Sequence, residues 1–431
     1  MRSGADKGKV NSAPRGWVLS FRIHALVYYG PKTLFLSKPR WRSMHEIIPN
    51  QPTPRPLTVA HAIHSGGFYG AEKVLCDLAR EQAAGSECAP RLLALLDPDQ
   101  DGNEVCERAD SLGVPVARVR ARRGITWAGL QAYARALRET GAGLVHSHGY
   151  KATAFHMLSR WSGMHRVPLL VTAHGYPKAS GSRKAACYRW LDLAMLGAAD
   201  GVVAVSAEMA RYLREHNPLL RPSTIPNGVA DSQPTAAAGH PLRAALGVGS
   251  GIPIIGTAGR MVPMKNHTLL IRAYARVRKT FPCRLAILGD GPLRPMLEEL
   301  WRSLIPDEPV GLFPFQPQVL AWMADMDVFS LPSEDGEGLP IALLEAGLLE
   351  RAVVCSDVGG IPEVVRDWVT GRVFPRGDEN ALVRALEDLL PDPERRAACG
   401  RALRNEVLER HDIRAVHTRY LEAYAHALAA A

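Results

Sequence analysis

The 431-residue chain has no Cys-x-x-Cys pair. Its seven cysteines (76, 88, 106, 187, 283, 355 and 399) are scattered and odd in number, which argues against a zinc site or a disulfide framework and suits a reducing cytoplasm. A membrane span is missing too. The most apolar stretch near the start, Trp17 to Leu36, is interrupted by Arg22, His24, Gly30, Pro31 and Lys32. No Gly-x-Gly-x-x-Gly follows a predicted strand, so a nicotinamide oxidoreductase reading has only Gly66-Gly67 and Gly70 with Asp97 to rest on. The one Asp-x-Asp run, Asp325-Met326-Asp327, falls at a helix-to-strand junction and reads as structural. No period of 20–50 residues recurs, which excludes a solenoid.

The excess positive charge is local. Formal net charge is +9, but residues 1–56 hold ten Lys/Arg against two Asp/Glu, while the remaining 375 residues hold 42 against 41. A nearly neutral body argues against nucleic acid as a partner. Residues 1–56 form a basic, proline-rich leader, read as disordered or as an over-called start with Met44 as the initiator; a basic arm on anionic lipid is the alternative. With 47% hydrophobic and 22% charged residues the rest is globular material, and its length calls for two domains.

Strand and helix patterns alternate twice. In the first half (57–235), Leu57–Ile63 reads as a strand ending in Ser65-Gly66-Gly67-Phe68-Tyr69-Gly70, with a helix from Ala71 to Gln82. Further strands are Arg91–Leu96, Val114–Val119, Leu144–Gly149, Leu169–Tyr176 and Gly201–Ser206, with a helix over Ile125–Leu137. Two of these strands end in His-Gly, at His148 and His174. In a parallel sheet both ends lie on the carboxyl edge, where ligands bind. A lone histidine is usually a satisfied structural one, so the pairing is the signal. A helix from Ser182 to Leu196 carries Arg183, Lys184 and Arg189 among apolar residues, which suits a packed surface helix or a membrane face. Residues 236–251 read as a loop-like linker.

The second half (252–410) restarts with Pro253–Gly259, then Arg260 and Lys265 flanking a loop that feeds a helix. Cations there suit a diphosphate. The organising stretch is Glu334–Ala346. A strand, Val328–Leu331, leads into an acidic glycine loop, and Pro340 is expected to open a helix. Glu337 lies in the loop and Glu345 about one and a half turns inside the helix. The N–H groups near Gly338 and Leu339 form an anion site aided by the helix dipole. Two acids near a helix start can equally be a solvated pair. However, Glu345 lies in the run Ile341-Ala342-Leu343-Leu344…Ala346, where an unpaired carboxylate is costly. Residues 411–431 are expected to form a C-terminal helix that can pack back on the first domain.

The motif Glu337-x7-Glu345, inside Pro332-Ser333…Gly338-Leu339-Pro340…Leu344-Glu345-Ala346, resembles the C-terminal signature of the retaining glycosyltransferases of family 4. Gly259-Arg260…Lys265-Asn266, Leu288-Gly289-Asp290-Gly291-Pro292, Asp357–Glu363, Gly66-Gly67…Glu72, His148-Gly149, His174-Gly175 and Ile225-Pro226-Asn227-Gly228 match in order. The resemblance runs from Leu57 to Tyr424. It implies an α/β chain of the GT-B fold, two doubly wound Rossmann-like domains facing a central cleft. The first would hold the acceptor and the second a nucleotide-sugar donor, UDP- or GDP-linked. By the same likeness His174 and Glu337 would be catalytic. Gly66, Gly67, Arg260, Lys265, Gly338, Leu339 and Glu345 would hold the donor, and His148 and Tyr176 are acceptor-side candidates. Family members of this fold need no bound metal and no further cofactor. Pro314, where the family often has glycine, leaves the base open. The expected activity is sugar transfer with retention to a saccharide or lipid-linked acceptor. The setting would be cytoplasmic, with peripheral contact at the inner membrane face as an option, in cell-surface polysaccharide or glycolipid synthesis. A sugar-nucleotide 2-epimerase and a non-catalytic sugar-nucleotide-binding protein are the alternatives on the same fold.

Overall fold

In a computed structural model the described residues are 55–120, 124–175, 183–231 and 239–431, with the side chains of 183–186 and 188 also left aside. The basic leader up to residue 54, and Tyr176, lie outside them.

Two parallel sheets organise the described residues. The first comprises β1 (Leu57–His64), β2 (Cys88–Leu96), β3 (Val116–Arg120), β4 (Leu144–His148), β5 (Leu169–Ala173), β6 (Gly201–Ala204) and β7 (Ser223–Thr224), in the order β3-β2-β1-β4-β5-β6-β7. The second comprises β8 (Ile254–Ala258), β9 (Arg284–Leu288), β10 (Leu312–Phe313), β11 (Val328–Leu331), β12 (Ala352–Ser356) and β13 (Arg372–Phe374), in the order β10-β9-β8-β11-β12-β13. Chain order reverses direction between β1 and β4, and again between β8 and β11, which makes both sheets doubly wound. Central strands such as β4, β5, β8 and β12 are buried along their whole length. Helices on both faces demand that, and it explains why these strands read as apolar runs without alternation.

The helices of the first half are α1 (Gly70–Ala84), α2 (Glu104–Ser111), α3 (Trp127–Thr140), α4 (Tyr150–Trp161), α5 (Arg183–Gly197) and α6 (Ala207–His216). Side-chain caps start several of them: Asn103, Thr126 and Ser206 each accept from a backbone N–H in the first turn of α2, α3 and α6. In the second half come α7 (Pro241–Leu246), α8 (His267–Val277), α9 (Arg294–Leu304), α10 (Val319–Met323), α11 (Ile341–Leu348), α12 (Glu379–Leu389), α13 (Pro393–Arg410) and α14 (Ile413–Ala430).

Several elements differ from the sequence reading. Helix α7 falls inside the expected linker. It is short, but Leu242 is fully buried in the second core, and Asp325 accepts from the N–H groups of Leu242 and Arg243 at 2.9 and 3.2 Å. Asp327 accepts from Arg243 and from the Ile254 N–H, so the Asp-x-Asp run is a structural clasp for α7 and β8. Pro340 is the N-cap of α11 rather than its first helical residue. Helices α2 and α4 add two crossovers that the sequence reading did not place.

Helix α14 crosses back to the first sheet. Val416, Tyr420, Ala423, Tyr424 and Ala427 share a core with Val59, Leu170 and Val203 of β1, β5 and β6. Small residues permit the approach: a Cβ on Gly201 would stand 3.4 Å from the Ala427 methyl and 2.6 Å from Leu170.

Candidate active site between the two carboxyl edges

The carboxyl ends of β1, β4 and β5 in the first sheet and of β8 and β11 in the second supply the expected residues. They meet directly. Gly338, in the loop after β11, is so close to the end of β5 that an added Cβ would lie 2.0 Å from the His174 carbonyl oxygen. A Cβ on Gly175 would lie 2.7 Å from the Gly336 carbonyl oxygen. Asn227 donates its amide to the Leu339 carbonyl at 2.7 Å, adding a third link across the halves. Gly360 donates its N–H to the Gly338 carbonyl at 2.6 Å, and Gly359 (φ 59°) would put a Cβ 1.9 Å from the Glu337 carbonyl oxygen. The Gly359-Gly360 pair thus has a packing reason, since side chains there would push the Glu337 loop away.

Glu337 is buried and held from two sides. Lys265 reaches its Oε1 at 2.5 Å and the Ser333 hydroxyl donates to the same oxygen at 2.8 Å. Lys265 ends a short 3-10 turn, Pro263–Lys265, after β8. Asn266 follows in the left-handed region (φ 45°), and its side chain caps α8 by accepting from the Leu269 N–H. That cap fixes where the lysine leaves the chain. Among the described residues, the N–H groups of Gly338 and Leu339 have no backbone or side-chain acceptor. Two such donors at the mouth of α11 suit an anion.

Glu345 is not unpaired, as the sequence alone suggested. Lys73 of α1, from the other half, stands 3.6 Å from its Oε1 and 3.2 Å from Asp77. Burial raises the pKa of the Glu345 carboxyl above the ordinary value, and the lysine opposes that rise. Burial works to lower the Lys73 pKa, but Glu345 and Asp77 outweigh it and the net shift is upward. The lysine is thereby favoured in its charged form, while burial and Asp77 work against the charge on Glu345. Lys73 carries no local signature; only the fold brings α1 against α11.

Arg260 stacks over the ring of Tyr69, 4.5 Å from its centroid, and so joins the second half to the glycine turn after β1. That turn is locked by Glu72, which accepts from the Tyr69 N–H at 3.0 Å and from the Ser65 hydroxyl at 2.7 Å. A Cβ on Gly67 would lie 2.7 Å from the Tyr69 hydroxyl oxygen, so a side chain there would displace that exposed ring. Gly66 faces open space, with nothing within 4 Å of an added Cβ.

The two strand-end histidines are stacked on each other. His148 Nδ1 and His174 Nε2 are 3.1 Å apart. Burial lowers the His174 pKa to about 4, so its ring is neutral at neutral pH. His148 is almost completely buried and lies behind His174, where it also reaches His61; it does not form an acceptor-facing surface. The sequence reading also passed over His61, Gln82 and Tyr424, which join this cluster.

Two doubly wound domains with their carboxyl edges opposed define the GT-B class of nucleotide-binding enzymes. The comparisons narrow it. Residues 241–406 match "Glycosyl transferases group 1", and residues 68–233 match "Glycosyltransferase Family 4". The chain is 30% identical over 310 residues to alpha-maltose-1-phosphate synthase of Mycolicibacterium smegmatis, covering 66% of this chain and 79% of that protein. It is 34% identical over 223 residues to a GDP-mannose-dependent alpha-(1-6)-phosphatidylinositol monomannoside mannosyltransferase of the same organism, covering 49% of this chain and 58% of that one. The latter match thus spans less than two thirds of the relative. The fold of Anabaena Alr3699/HepE, solved in complex with UDP-glucose, superposes with a TM-score of 0.73 at 20% identity, over 86% of this chain and 99% of that one. The chain belongs to the group 1, family 4 glycosyltransferases, with the GT-B fold.

Proposed function

We propose that the protein transfers a sugar from a UDP- or GDP-linked donor to a saccharide or lipid-linked acceptor, with retention at the anomeric carbon. The observation that carries this reading is the contact between the Glu337-Gly338 loop and His174, in which the carboxyl edges of the two sheets meet. Leaving-group chemistry explains the rest of the site. As the glycosidic bond to phosphate breaks, negative charge grows on the diphosphate and positive charge on the sugar ring. Arg260, Lys265 and the N–H groups of Gly338 and Leu339 stabilise the departing phosphate. Lys265 is shared with Glu337, so the diphosphate draws the lysine toward itself and leaves the carboxylate to accept from hydroxyls of the transferred sugar. Glu345 accepts from the ribose hydroxyls. Gly66 allows the first-domain backbone to approach the phosphates, and His174 lies beside the anomeric carbon. With cations and amides in that role the reaction proceeds without a bound metal, so EDTA leaves turnover unchanged.

One relative is named as a mannosyltransferase acting on phosphatidylinositol monomannoside and another as an alpha-maltose-1-phosphate synthase, which supports glycolipid or polysaccharide synthesis as the setting. Among the described residues no helix is long and apolar enough to cross a membrane. Peripheral contact with the inner face is supported by Trp127, Trp161 and Trp190, exposed on α3, α4 and α5. The test is release of nucleoside diphosphate from UDP- and GDP-sugars, with and without lipid-linked acceptors. Release that depends on acceptor and is lost in Lys265→Ala supports transfer; epimerised donor without acceptor, or no turnover with any pair, refutes it.

A further inference from the structure

Beneath His174 runs a continuous chain of buried side chains that the proposed chemistry leaves unused. His174 Nε2 meets His148 Nδ1 at 3.1 Å, His148 Nε2 meets His61 Nδ1 at 3.2 Å, and His61 Nε2 meets Gln82 Oε1 at 2.8 Å. On its other side Gln82 donates through Nε2 to the Tyr424 hydroxyl at 2.9 Å. Tyr424 meets His146 Nδ1 at 3.0 Å, and His146 Nε2 meets Thr172 Oγ1 at 2.7 Å. The chain joins β1, β4, β5, α1 and α14, and its directly bonded members are separated by up to 342 residues in sequence.

An amide is the one member that cannot be reversed without turning over. Its oxygen only accepts and its nitrogen only donates, whereas a neutral imidazole has one nitrogen of each kind. Gln82 Oε1 therefore requires the proton of His61 on Nε2, leaving Nδ1 as the acceptor. His148 must then donate from Nε2 and accept at Nδ1, and His174 must donate from Nε2. A neutral His174 is left with an unprotonated Nδ1. Burial keeps the rings neutral, as this logic needs: the His61 pKa is lowered to about 4, and those of His146 and His148 well below the ordinary value.

We infer that Gln82, in the orientation whose Nε2–H donates to the hydroxyl of Tyr424 on the C-terminal helix, is a positioning residue that fixes the tautomer of His174 from two histidines away. The inference rests on the proposed role of His174 only for its effect on turnover. A zinc site is the competing use of His61, His146 and His148, whose nearest nitrogens lie within 4.8 Å of one another. All six of their ring nitrogens already have a partner in the chain, so no lone pairs converge on a common point.

Long-range 15N–1H correlation spectra of the full chain, labelled at histidine, read tautomers directly, with His61→Asn, His148→Asn and His174→Asn variants to assign the signals. The expected result is Nε2–H at His61, His148 and His174 in the unsubstituted protein, and loss of that uniform pattern in Gln82→Leu. Tyr424→Phe is the milder second variant, which removes one hydroxyl and leaves the ring in place. Its kcat falls at least about tenfold with the donor KM unchanged, because neither residue touches the donor. An Nδ1–H form of His174 in the unsubstituted protein, or the same tautomers in Gln82→Leu as before, overturns the inference. So does stoichiometric zinc that shifts the His61, His146 and His148 signals and raises the melting temperature. Tautomers that respond while turnover does not would leave the relay standing and refute the catalytic role of His174 instead.

Discussion

Replacing Lys73 with Met would leave Glu345 buried beside an apolar chain, and the cost can be worked from the geometry. At 3.6 Å and an effective dielectric constant near 20, the attraction is about 4–5 kcal/mol. The lysine side chain is 30% exposed and also serves Asp77, so solvent screening reduces the net loss to about 1–3 kcal/mol. The sign with pH follows from the raised Glu345 pKa. An acid whose folded pKa exceeds its unfolded one binds protons more tightly when folded, so stability declines as pH rises through that window. Without Lys73 the folded pKa rises further. Lys73→Met should therefore destabilise more at pH 8 than at pH 5, where Glu345 is closer to neutral in the folded variant. Thermal unfolding at both values reads the difference, at about 2–4 °C per kcal/mol for a domain of this size. Glu345→Gln should cost less than Lys73→Met, because Lys73 keeps Asp77. The double variant should be about 1 kcal/mol or more better than the sum of the singles. Equal destabilisation at both pH values, or strict additivity, would refute the assignment of the pair.

Lys265→Ala removes the cation that holds Glu337 and, in the proposed reaction, the departing phosphate; kcat/KM should fall about 100- to 1,000-fold, measured by initial rates with the donor varied. His61 and His174, each lowered to about 4, are neutral in the folded state and protonate in the unfolded one below pH 6.5. Stability is full above pH 6.5 and is lost as pH falls toward 4, by about 3 kcal/mol for each residue; urea midpoints at pH 7 and 5 should show the decline. Gly66→Ala should hold its melting point, since the position faces open space, yet weaken donor binding if the phosphates approach there. Gly338→Ala should lose both stability and activity, because its Cβ would strike the His174 carbonyl.

Much of this arrangement was legible in the sequence because it is written in local patterns. The His-Gly strand ends, the Lys265-Asn266 turn and the spacing of Glu337 and Glu345 each occupy a few residues, and parallel sheets place strand ends on one edge by rule. What was not legible depends on distant pairing. Lys73 is an ordinary helix-surface lysine until α11 packs beside it, and Gln82 and Tyr424 meet only because α14 returns to the first sheet. His61 sits inside an apolar strand, with no turn or glycine to mark it. The expected linker was misread at α7 for a similar reason: six residues rich in alanine and leucine give too short a periodic signal, and the capping acid, Asp325, lies 83 residues away.

The account depends most on a nucleotide sugar occupying the second domain at Glu345 and Lys265. Calorimetric unfolding of the chain with saturating UDP-, GDP- and ADP-sugars, beside Glu345→Ala and Lys265→Ala, tests this directly. A specific donor at a hundredfold excess over its Kd stabilises by about 2.7 kcal/mol. The predicted result is a clear shift with one nucleotide class, lost in both variants. Equal melting with every nucleotide sugar, or a shift that both variants retain, would contradict it.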